Sequence, residues 1–224
     1  MPFFTVIIPL YNKEMYIENA IKSILNQTFT DFELLIINDC STDKSIEIAS
    51  KFAFEKVQII HHEKNSGLAA TRNTGIKKAT SNYVTFLDAD DVWKPNFLES
   101  VFQLIQNFPE ARIFATNYEE IWKETLKTPL NGSELLEKNY TGYIDFFKLN
   151  LKQGIYCHGS VCFHKEVFEK IGFYNEKINF SEDLDFNIRA NYQFKLAYNK
   201  TPQMIYFMQT ENQITQSSLK NKTI

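Results

Sequence analysis

Glycine, proline and cysteine are all scarce in this chain, whose 224 residues include 7 glycines, 6 prolines and 3 cysteines. Collagen-like and low-complexity chains are excluded, because they are rich in glycine or proline. Cys40, Cys157 and Cys162 are irregularly spaced and too few for the disulfide framework of a small secreted domain. The sequence also shows no charged start followed by an apolar run and a small-residue cleavage site. These features predict a protein of the reducing cytoplasm.

Long hydrophobic runs and a dominant charge are missing too. Apolar runs such as residues 5–10 are far shorter than the roughly 20 residues that a membrane-spanning helix needs. The 24 basic and 27 acidic residues give a net charge of -3, which argues against broad attraction to nucleic acid. Hydrophobic residues make up 44% of the chain, enough for the core of one globular domain. We expect one folding unit with no nucleic-acid partner and no segment across a bilayer.

Apolar runs alternate with amphipathic segments in the first half of the chain, where the apolar spacing of several segments is helical. Strands are predicted over residues 4–8, 33–38, 57–60, 83–87 and 112–116. Helices are predicted over residues 17–25 and 68–79, in the segment that carries Ile46, Ala49 and Ala53, and in a segment with Pro95 in its first turn. Strands that are apolar on both faces and separated by such helices indicate an α/β fold, with a mostly parallel sheet flanked by helices.

The alternation stops after residue 118. Residues 131–138 are predicted to form a loop, residues 160–163, 194–198 and 204–207 strands, and residues 182–192 a helix. The polar segment 209–224 is predicted to be a loosely held tail. The chain therefore divides into an α/β half over residues 1–118, a smaller second half of the same domain over residues 119–208, and the tail.

Carboxylates follow two of the predicted strands. Asp39 comes directly after one strand, and Asp88, Asp90 and Asp91 come within four residues after another. Ligands of such sheets bind at the carboxyl ends of the strands, and crowded carboxylates need a compensating cation or donors. Mg²⁺ or Mn²⁺ fits, since it is held by one or two carboxylates plus substrate phosphates. The alternative is that Asp90 and Asp91 simply begin the loop before the helix at Pro95.

Several segments together resemble the family 2 glycosyltransferases with the GT-A fold. The resemblance spans about residues 4 to 207 in the family's order. It rests on the segments 6–12 (VIIPLYN), 35–39 (LIIND), 65–75 (NSGLAATRNTG), 86–91 (FLDADD), 172–176 (GFYNE) and 181–185 (SEDLD).

The resemblance implies a Rossmann-like GT-A fold and an inverting transfer of sugar from a nucleoside diphosphate sugar, by default a UDP-sugar. Residues 1–118 would bind the nucleotide sugar, and residues 119–208 would form the acceptor side with the catalytic base. The implied acceptor is a hydroxyl of a glycan or lipid-linked glycan in bacterial surface polysaccharide assembly. The implied location is the cytoplasm, with peripheral contact at the inner face of the membrane. The oligomeric state is left open.

The resemblance also assigns roles to individual residues. It implies a nucleotide-binding set that consists of Pro9, Tyr11, Asp39, Arg72, Asp88 and Ala89. Within it, Asp39 accepts a hydrogen bond from the base and Tyr11 packs on the base ring. Asp90, together with Asp88, would hold Mn²⁺ or Mg²⁺, and Asp183 would be the catalytic base. A structural alternative for Asp183 is an acid in the first turn of a helix that Ser181 caps.

One departure from the family concerns the metal. Many relatives carry a histidine near the C-terminal strand, but no histidine follows His164 in this chain. The metal would then keep more water, bind more weakly, or be dispensable. Two other functions stay open: a non-catalytic nucleotide-sugar binding protein of the same fold, and a nucleotidyltransferase. The second would want a glycine-rich phosphate loop after the first strand, and residues 10–13 contain no glycine.

Weaker candidates receive structural interpretations. The spacing of Cys157, His158, Cys162 and His164 fits no common zinc site, so we expect buried strand residues. Arg112 and Arg189 are expected to pair with Glu110 and Asp185. His61 and His62 are expected to have a loop or edge role. Trp93 is predicted to be the exception among the aromatic residues, stacking on a sugar.

Overall fold

The computed structural model describes residues 1–122, 124–150, 152–208 and 210. Within these residues the chain forms ten strands and seven α-helices. The strands are β1 (Phe4–Leu10), β2 (Phe32–Asn38), β3 (Val57–His61), β4 (Tyr83–Phe86), β5 (Val92–Trp93), β6 (Ala111–Trp122), β7 (Thr125–Lys127), β8 (Thr141–Ile144), β9 (Val161–His164) and β10 (Lys195–Phe207). The helices are α1 (Ile17–Leu25), α2 (Ser45–Ser50), α3 (Leu68–Lys78), α4 (Phe97–Asn107), α5 (Phe146–Leu149), α6 (Glu166–Ile171) and α7 (Glu182–Gln193).

The strands form one mixed sheet with the order β3-β2-β1-β4-β9-β6-β10-β5. Its first four strands are parallel, β9 runs antiparallel to both neighbours, and β10 runs parallel to β6. The chain proceeds outward from β1 to β2 and β3, then returns to place β4 on the other side of β1. This reversal opens a crevice at the carboxyl ends of the strands, where α/β proteins bind ligands.

Helices cover both faces of the sheet, as the predicted α/β class requires. In β1, Val6 and Ile8 pack into the core on one face, and Ile7 packs into the core on the other. This alternation follows from the two-residue period of a strand. Helices α1 and α4 contribute to the first core, while α3, α6 and α7 contribute to the second. Both faces of the sheet are therefore covered by hydrophobic core, which confirms the prediction that the apolar runs are strands buried on both faces.

Pro9 lies inside β1, which runs to Leu10 instead of ending at residue 8 as predicted. Leu87 N donates to Ile7 O at 3.0 Å, so the backbone of Ile7 faces β4. Pro9, two residues later, faces the same way. Strand β4 pairs with β1 only as far as Ile7, so the missing N–H of Pro9 costs no ladder hydrogen bond. The strand can continue to the cleft with β2 as its partner.

The second half of the chain departs most from the prediction. Strand β6 continues to Trp122, beyond the predicted break, and the two strands predicted at 194–198 and 204–207 form the single strand β10. Its pairing with β6 shifts register between Asn199 and Met204, where polar residues interrupt the apolar pattern. Strands β7 and β8 and helices α5 and α6 were not predicted.

Two details of the first half also differ from the prediction. Strand β5 was not predicted. Helix α4 begins at Phe97, so Pro95 precedes the helix and does not lie in its first turn, as was predicted.

No helix among the described residues is long and apolar enough to span a membrane. Of the predicted tail, only Thr210 belongs to the described residues, and it is buried with 5% exposure. The rest of the tail lies outside the described part of the chain.

Candidate active site

A cleft of about 920 Å³ opens at the carboxyl ends of β1, β2 and β4. The first residues of α7 also line it. All residues that the sequence assigned to the site line this cleft, namely Pro9, Tyr11, Asp39, Arg72, Asp88, Ala89, Asp90 and Asp183. They belong to, or directly follow, five separate elements (β1, β2, α3, β4 and α7), and the fold brings them into one space.

Asp39 follows β2 and is 3% exposed. Its Oδ1 accepts a hydrogen bond from Ser66 N at 2.8 Å, and its Oδ2 accepts one from Gly67 N at 2.9 Å. His62 links this carboxylate to the next helix, with Nδ1 2.8 Å from Asp39 Oδ1 and Nε2 2.9 Å from Thr74 Oγ1. Each carboxylate oxygen has two lone pairs, so Asp39 Oδ2 keeps capacity for a further donor. Asp39 therefore fixes the loop before α3 as well as facing the cleft.

Helix α3 carries Arg72 and packs very closely on β1. A Cβ on Gly75 would lie 2.6 Å from Ile7 Cγ2, so this approach requires glycine. Gly67, at the N-terminus of the helix, has φ +87, a left-handed conformation that also favours glycine. The helix thus sets the depth at which the Arg72 side chain enters the protein.

Arg72 is 2% exposed and holds two carboxylates. Its Nη1 donates to Glu182 Oε1 at 2.5 Å, and its Nη2 donates to Asp88 Oδ1 at 3.0 Å. Burial alone lowers the pKa of a guanidinium, but the negative charges of Asp88 and Glu182 outweigh it and raise the pKa of Arg72 above its usual value. A permanent positive charge is therefore built into the wall of the cleft.

Asp88 and Asp90 share the loop after β4 but have different partners. Asp88 has 30% of its side chain exposed. Burial raises the pKa of Asp88, Arg72 lowers it, and the negative charges of Asp90 and Asp183 add to the rise. Asp90 Oδ2 accepts from Lys13 Nζ at 2.7 Å and from Thr210 Oγ1 at 2.5 Å. One carboxylate of the pair thus opens to the cleft, while the other holds an ammonium group.

Asp91 is 1% exposed and turns away from this pair toward β10. Its Oδ1 accepts from Phe207 N at 3.0 Å. Its Oδ2 is buried and has no hydrogen-bond partner among the described residues. Burial, followed by the negative charges of Asp90 and Asp88, raises the pKa of Asp91 well above its usual value. Asp91 therefore anchors the loop to β10 at an electrostatic cost.

Asp183 lies in the first turn of α7, where it lines the cleft. Its Oδ1 accepts from the neighbouring Leu184 N at 2.8 Å. Ser181 precedes the helix with φ +63, and its side chain makes no capping hydrogen bond. The expectation that the Ser181 side chain caps the helix is therefore wrong. The other part of the structural alternative, an acid in the first turn of the helix, agrees with the position of Asp183, and its role as a base stays a prediction.

The donor set at Asp88 and Asp90 suits a hard cation only with help from a ligand. Among the described residues, no three His, Cys, Asp or Glu side chains are grouped so that they could hold a metal ion. Asp90 Oδ2, however, already accepts a cation, the Lys13 ammonium. Carboxylate oxygens with few other protein ligands fit Mg²⁺ or Mn²⁺, which commonly completes its shell with water and substrate phosphate.

Some sequence interpretations are wrong in their contacts. Trp93 is 4% exposed, donates from Nε1 to Gly159 O at 2.6 Å and packs on Phe97, so no sugar can stack on it. Arg112 pairs with Glu166 at 2.6 Å and not with Glu110, which pairs with Lys195. These partners come from distant parts of the chain, which sequence spacing cannot show.

Other interpretations agree with the structure. Arg189 pairs with Asp185 at 2.8 Å, as predicted. Of the four residues expected to be buried in strands, Cys162 is fully buried in β9 as predicted. His164 ends β9 but is only partly buried, whereas Cys157 and His158 precede the strand. The Cys157 thiol is partly buried, with its Sγ 2.9 Å from Met204 Sδ. His61 ends β3, which is the edge strand of the sheet. His62 follows it directly, but its contact with Asp39 gives it more than the edge role that we expected.

Sequence reasoning missed four residues of the site, Lys13, His62, Glu182 and Thr210. Each acts on a predicted residue through a contact between distant segments. A signal was present for Glu182, which precedes Asp183 in a segment that supports the resemblance. The sequence offered no comparable signal for Lys13 and Thr210.

Comparison with known proteins supports membership in the glycosyltransferase family that the sequence resembles. The sequence model described as Glycosyl transferase family 2 matches residues 5–172. The uncharacterized glycosyltransferase EpsJ from Bacillus subtilis is 31% identical over 197 residues, which are 85% of this chain and 56% of EpsJ. TuaG from Bacillus subtilis, a glycosyltransferase named for teichuronic acid biosynthesis, is 38% identical over 106 residues, 46% of this chain and 42% of TuaG. The chain therefore spans about half the length of these relatives.

Solved structures show the same fold. The crystal structure of S. aureus TarS 1–349 in complex with UDP-GlcNAc has a TM-score of 0.81 at 20% identity, and the match covers 95% of this chain and 60% of that chain. The complex of the same protein with UDP has a TM-score of 0.78 at 21% identity and covers 92% and 60%. At these identities the likeness concerns the fold, and it confirms the predicted GT-A architecture of a central sheet flanked by helices.

Proposed function

The chain belongs to glycosyl transferase family 2, and from this premise we propose that it transfers a sugar from a nucleoside diphosphate sugar to a hydroxyl group of a glycan. The observation that carries the proposal is the convergence of Asp39, Arg72, Asp88 and Asp183 on one cleft. A transferase needs a nucleotide pocket, a positive charge near the diphosphate and a base for the acceptor. The cleft offers a candidate residue for each.

The nucleotide would lie across the ends of β1 and β2. Asp39 Oδ2 would accept from an N–H group of the base, and Tyr11, which is 46% exposed, would cover the ring. Pro9 and Ala89 would shape the pocket walls, and Asp88 would receive the ribose. A UDP-sugar is the proposed donor. Support comes from the complexes of the structurally similar TarS with UDP and UDP-GlcNAc.

The diphosphate is a good leaving group only if its developing charge is neutralised. Asp90 and Asp88 would hold Mn²⁺ or Mg²⁺, which would supply this neutralisation when bound. Arg72 contributes a permanent charge from the wall of the cleft, because its guanidinium is fixed between Asp88 and Glu182. Lys13 lines the same region and adds a second positive charge.

Asp183 would remove the proton from the acceptor hydroxyl as that oxygen attacks the anomeric carbon. A direct attack by the acceptor inverts the anomeric centre, whereas retention by double displacement would require a carboxylate nucleophile. Asp183 lines the same cleft as the proposed nucleotide-binding residues, so a donor bound there would present its sugar toward this carboxylate. An acceptor reaching the cleft from the side of α7 would meet the base first.

The proposed role is surface polysaccharide assembly, on a glycan or lipid-linked glycan acceptor at the cytoplasmic face of the membrane. The name of TuaG, which refers to teichuronic acid biosynthesis, supports this role. The intact set of Asp39, Asp88, Asp90 and Asp183 favours an enzyme over a non-catalytic binding protein. A nucleotidyltransferase is disfavoured, because no glycine-rich loop follows β1.

Nucleotide binding provides the first test. Isothermal titration of the wild-type chain with UDP in the presence of Mn²⁺ should show binding, and Asp39→Asn should weaken it about 10-fold or more, since one hydrogen bond to a charged group is lost. Asp31→Asn, at an exposed aspartate outside the cleft, is the matched control. The donor site is refuted if UDP does not bind the wild-type chain, or if the two variants behave alike.

Transfer provides the second test. Release of UDP from UDP-sugars should depend on an added glycan acceptor and should be lost in Asp88→Asn and Asp90→Asn. A chain that binds UDP but releases none with any donor and acceptor would instead be a binding protein.

A further inference from the structure

Lys13 occupies the position on Asp90 that a divalent cation would take. Its Nζ lies 2.7 Å from Asp90 Oδ2, with 12% of the lysine and 9% of the aspartate side chain exposed. The two residues follow neighbouring strands, since Lys13 follows β1 and Asp90 follows β4, which pairs with β1. Their contact is a largely buried ion pair within the cleft, not a solvated surface contact.

The loop that carries Lys13 is fixed by the loop after β2 and by the first residue of α2. Lys13 N donates to Ser45 Oγ at 2.7 Å, and Thr42 N donates to Asn12 Oδ1 at 2.7 Å. Asn12 has φ +51, a left-handed conformation that these contacts hold in place. Two segments therefore aim the Lys13 side chain at Asp90.

A divalent ion and an ammonium group cannot both occupy one carboxylate oxygen, because like charges at contact distance repel strongly. Asp90 Oδ2 also accepts from Thr210 Oγ1 at 2.5 Å, which uses its remaining capacity. A metal ion on Asp90 Oδ2 would displace Lys13, and one on Asp90 Oδ1 would lie close to the same ammonium group and be repelled by it. The displaced ammonium needs another anion, and a diphosphate in the same cleft would provide one.

We infer that Lys13 competes with the divalent metal for Asp90, and that a bound nucleoside diphosphate relieves this competition by drawing the ammonium away. The inference rests on the proposed function for the identity of the metal and the nucleotide. It makes metal and nucleotide binding mutually reinforcing, since each favours the arrangement in which Lys13 has left Asp90. In the absence of nucleotide the metal ion would bind weakly, so the metal ion and the donor would bind together.

The test measures the affinity of the chain for Mn²⁺, first without nucleotide and then with UDP. The electron paramagnetic resonance signal of free Mn²⁺ reports how much of the ion is unbound. Lys13→Met removes the charge and keeps an unbranched side chain that is one atom shorter. It should tighten Mn²⁺ binding to the nucleotide-free chain about 10-fold and shrink the strengthening that UDP causes. Lys13→Arg keeps the charge and should bind Mn²⁺ as weakly as the wild type. Circular dichroism would verify that each variant is folded.

Two controls locate the effect. Lys22→Met removes a lysine from an exposed pair with Glu18 on α1 and should change nothing. In an Asp90→Asn background, Lys13→Met should no longer tighten Mn²⁺ binding. The inference is overturned if Lys13→Met leaves Mn²⁺ affinity unchanged or weakens it, or if the gain survives without Asp90. The nucleotide-free titration decides this even if UDP fails to bind, an outcome that would refute the proposed function instead.

Discussion

Arg72 and Glu182 are 110 positions apart in the chain, yet Arg72 Nη1 donates to Glu182 Oε1 at 2.5 Å. The pair joins α3, beside the proposed nucleotide pocket, to the first turn of α7. Asp183 is the next residue of that turn. A buried ion pair thus fixes the position of the first turn of α7 relative to α3. Because Asp183 lies in that turn, Glu182 is a positioning residue for Asp183.

Removal of Glu182 should destabilise the protein and misplace Asp183. Glu182→Ala leaves the buried Arg72 with one carboxylate partner, so we expect the free energy of unfolding to fall by about 3–5 kcal/mol. Glu182→Gln should recover part of this loss, because the amide oxygen can still accept from Arg72. Urea denaturation measures the stability. Transfer kinetics on the folded Gln variant should show a lower kcat with a smaller change in KM for the donor.

Asp185→Ala is the matched control for Glu182→Ala. It removes an acid of the same helix from a partly exposed pair with Arg189, which should cost about 1 kcal/mol or less. Equal losses of stability in the two variants would mean that the Arg72–Glu182 pair has no special structural weight. An unchanged kcat in Glu182→Gln would remove its positioning role.

Asp183→Asn should separate binding from chemistry. The amide cannot take the acceptor proton, so kcat should fall by about 10²–10⁴-fold, the usual range for loss of a general base. UDP affinity should stay within about 2-fold, because Asp183 faces the acceptor in the proposed mechanism. Turnover and titration with UDP measure the two effects. Asp185→Asn, two residues further along α7, should keep wild-type turnover, and a similar turnover in Asp183→Asn would exclude Asp183 as the base.

The sequence was most informative where local physics decides the structure. The apolar spacing from Ile17 to Leu25 predicted α1, and the apolar run of β2 predicted a strand buried on both faces, because helix and strand periods follow from backbone geometry. The site residues were predictable for a related reason. Strand ends of a parallel sheet meet at one edge, so Asp39 and Asp88 could be placed together before the fold was known.

The sequence failed where contacts join distant segments. Trp93 was expected to stack on a sugar but is buried in the core, since residue type alone cannot tell a core indole from one in a binding site. Residues 198 and 204 were predicted to belong to two separate strands, but both lie in β10. The segment between them pairs irregularly with β6, and this pairing across the irregular segment could not be seen in the sequence of β10 itself. Likewise His62 acquired its contact with Asp39 from the packing of β3 and α3 around the loop between them. No local pattern encodes such partners.

His62 should support nucleotide binding through Asp39. His62→Phe keeps a ring but removes the hydrogen bonds to Asp39 and Thr74, so the carboxylate loses a partner that orients it. A lost hydrogen bond of about 1 kcal/mol corresponds to a decrease of about 5-fold in UDP affinity. Titration with UDP measures this. His61→Phe, at the exposed neighbouring position, should bind UDP like the wild type, and equal affinities in the two variants would contradict the role of His62.

Asp91 should make stability depend on pH, because its carboxyl group is buried and the pKa of Asp91 is raised well above its usual value. A group that binds its proton more tightly in the folded state stabilises the protein below its unfolded pKa, near 4, and loses that contribution as the pH rises toward its folded pKa. Asp91→Asn has no ionisable group at this position, so it does not lose stability as the pH rises, and its amide oxygen can still accept from Phe207 N. We expect the variant to be more stable than the wild type at pH 7 by about 1–3 kcal/mol, and the difference to vanish near pH 4.

Denaturant unfolding of both proteins between pH 4 and pH 8, without metal, measures this difference. Asp31→Asn is the control, because that aspartate is exposed and its replacement should shift stability equally little at every pH. The gain in Asp91→Asn should grow with pH, since only the wild type must either desolvate a negative charge or retain a proton against a rising pH. Parallel stability curves for wild type and Asp91→Asn would show that the Asp91 carboxylate finds compensation in the folded protein, and the electrostatic cost assigned to this anchor of β10 would be wrong.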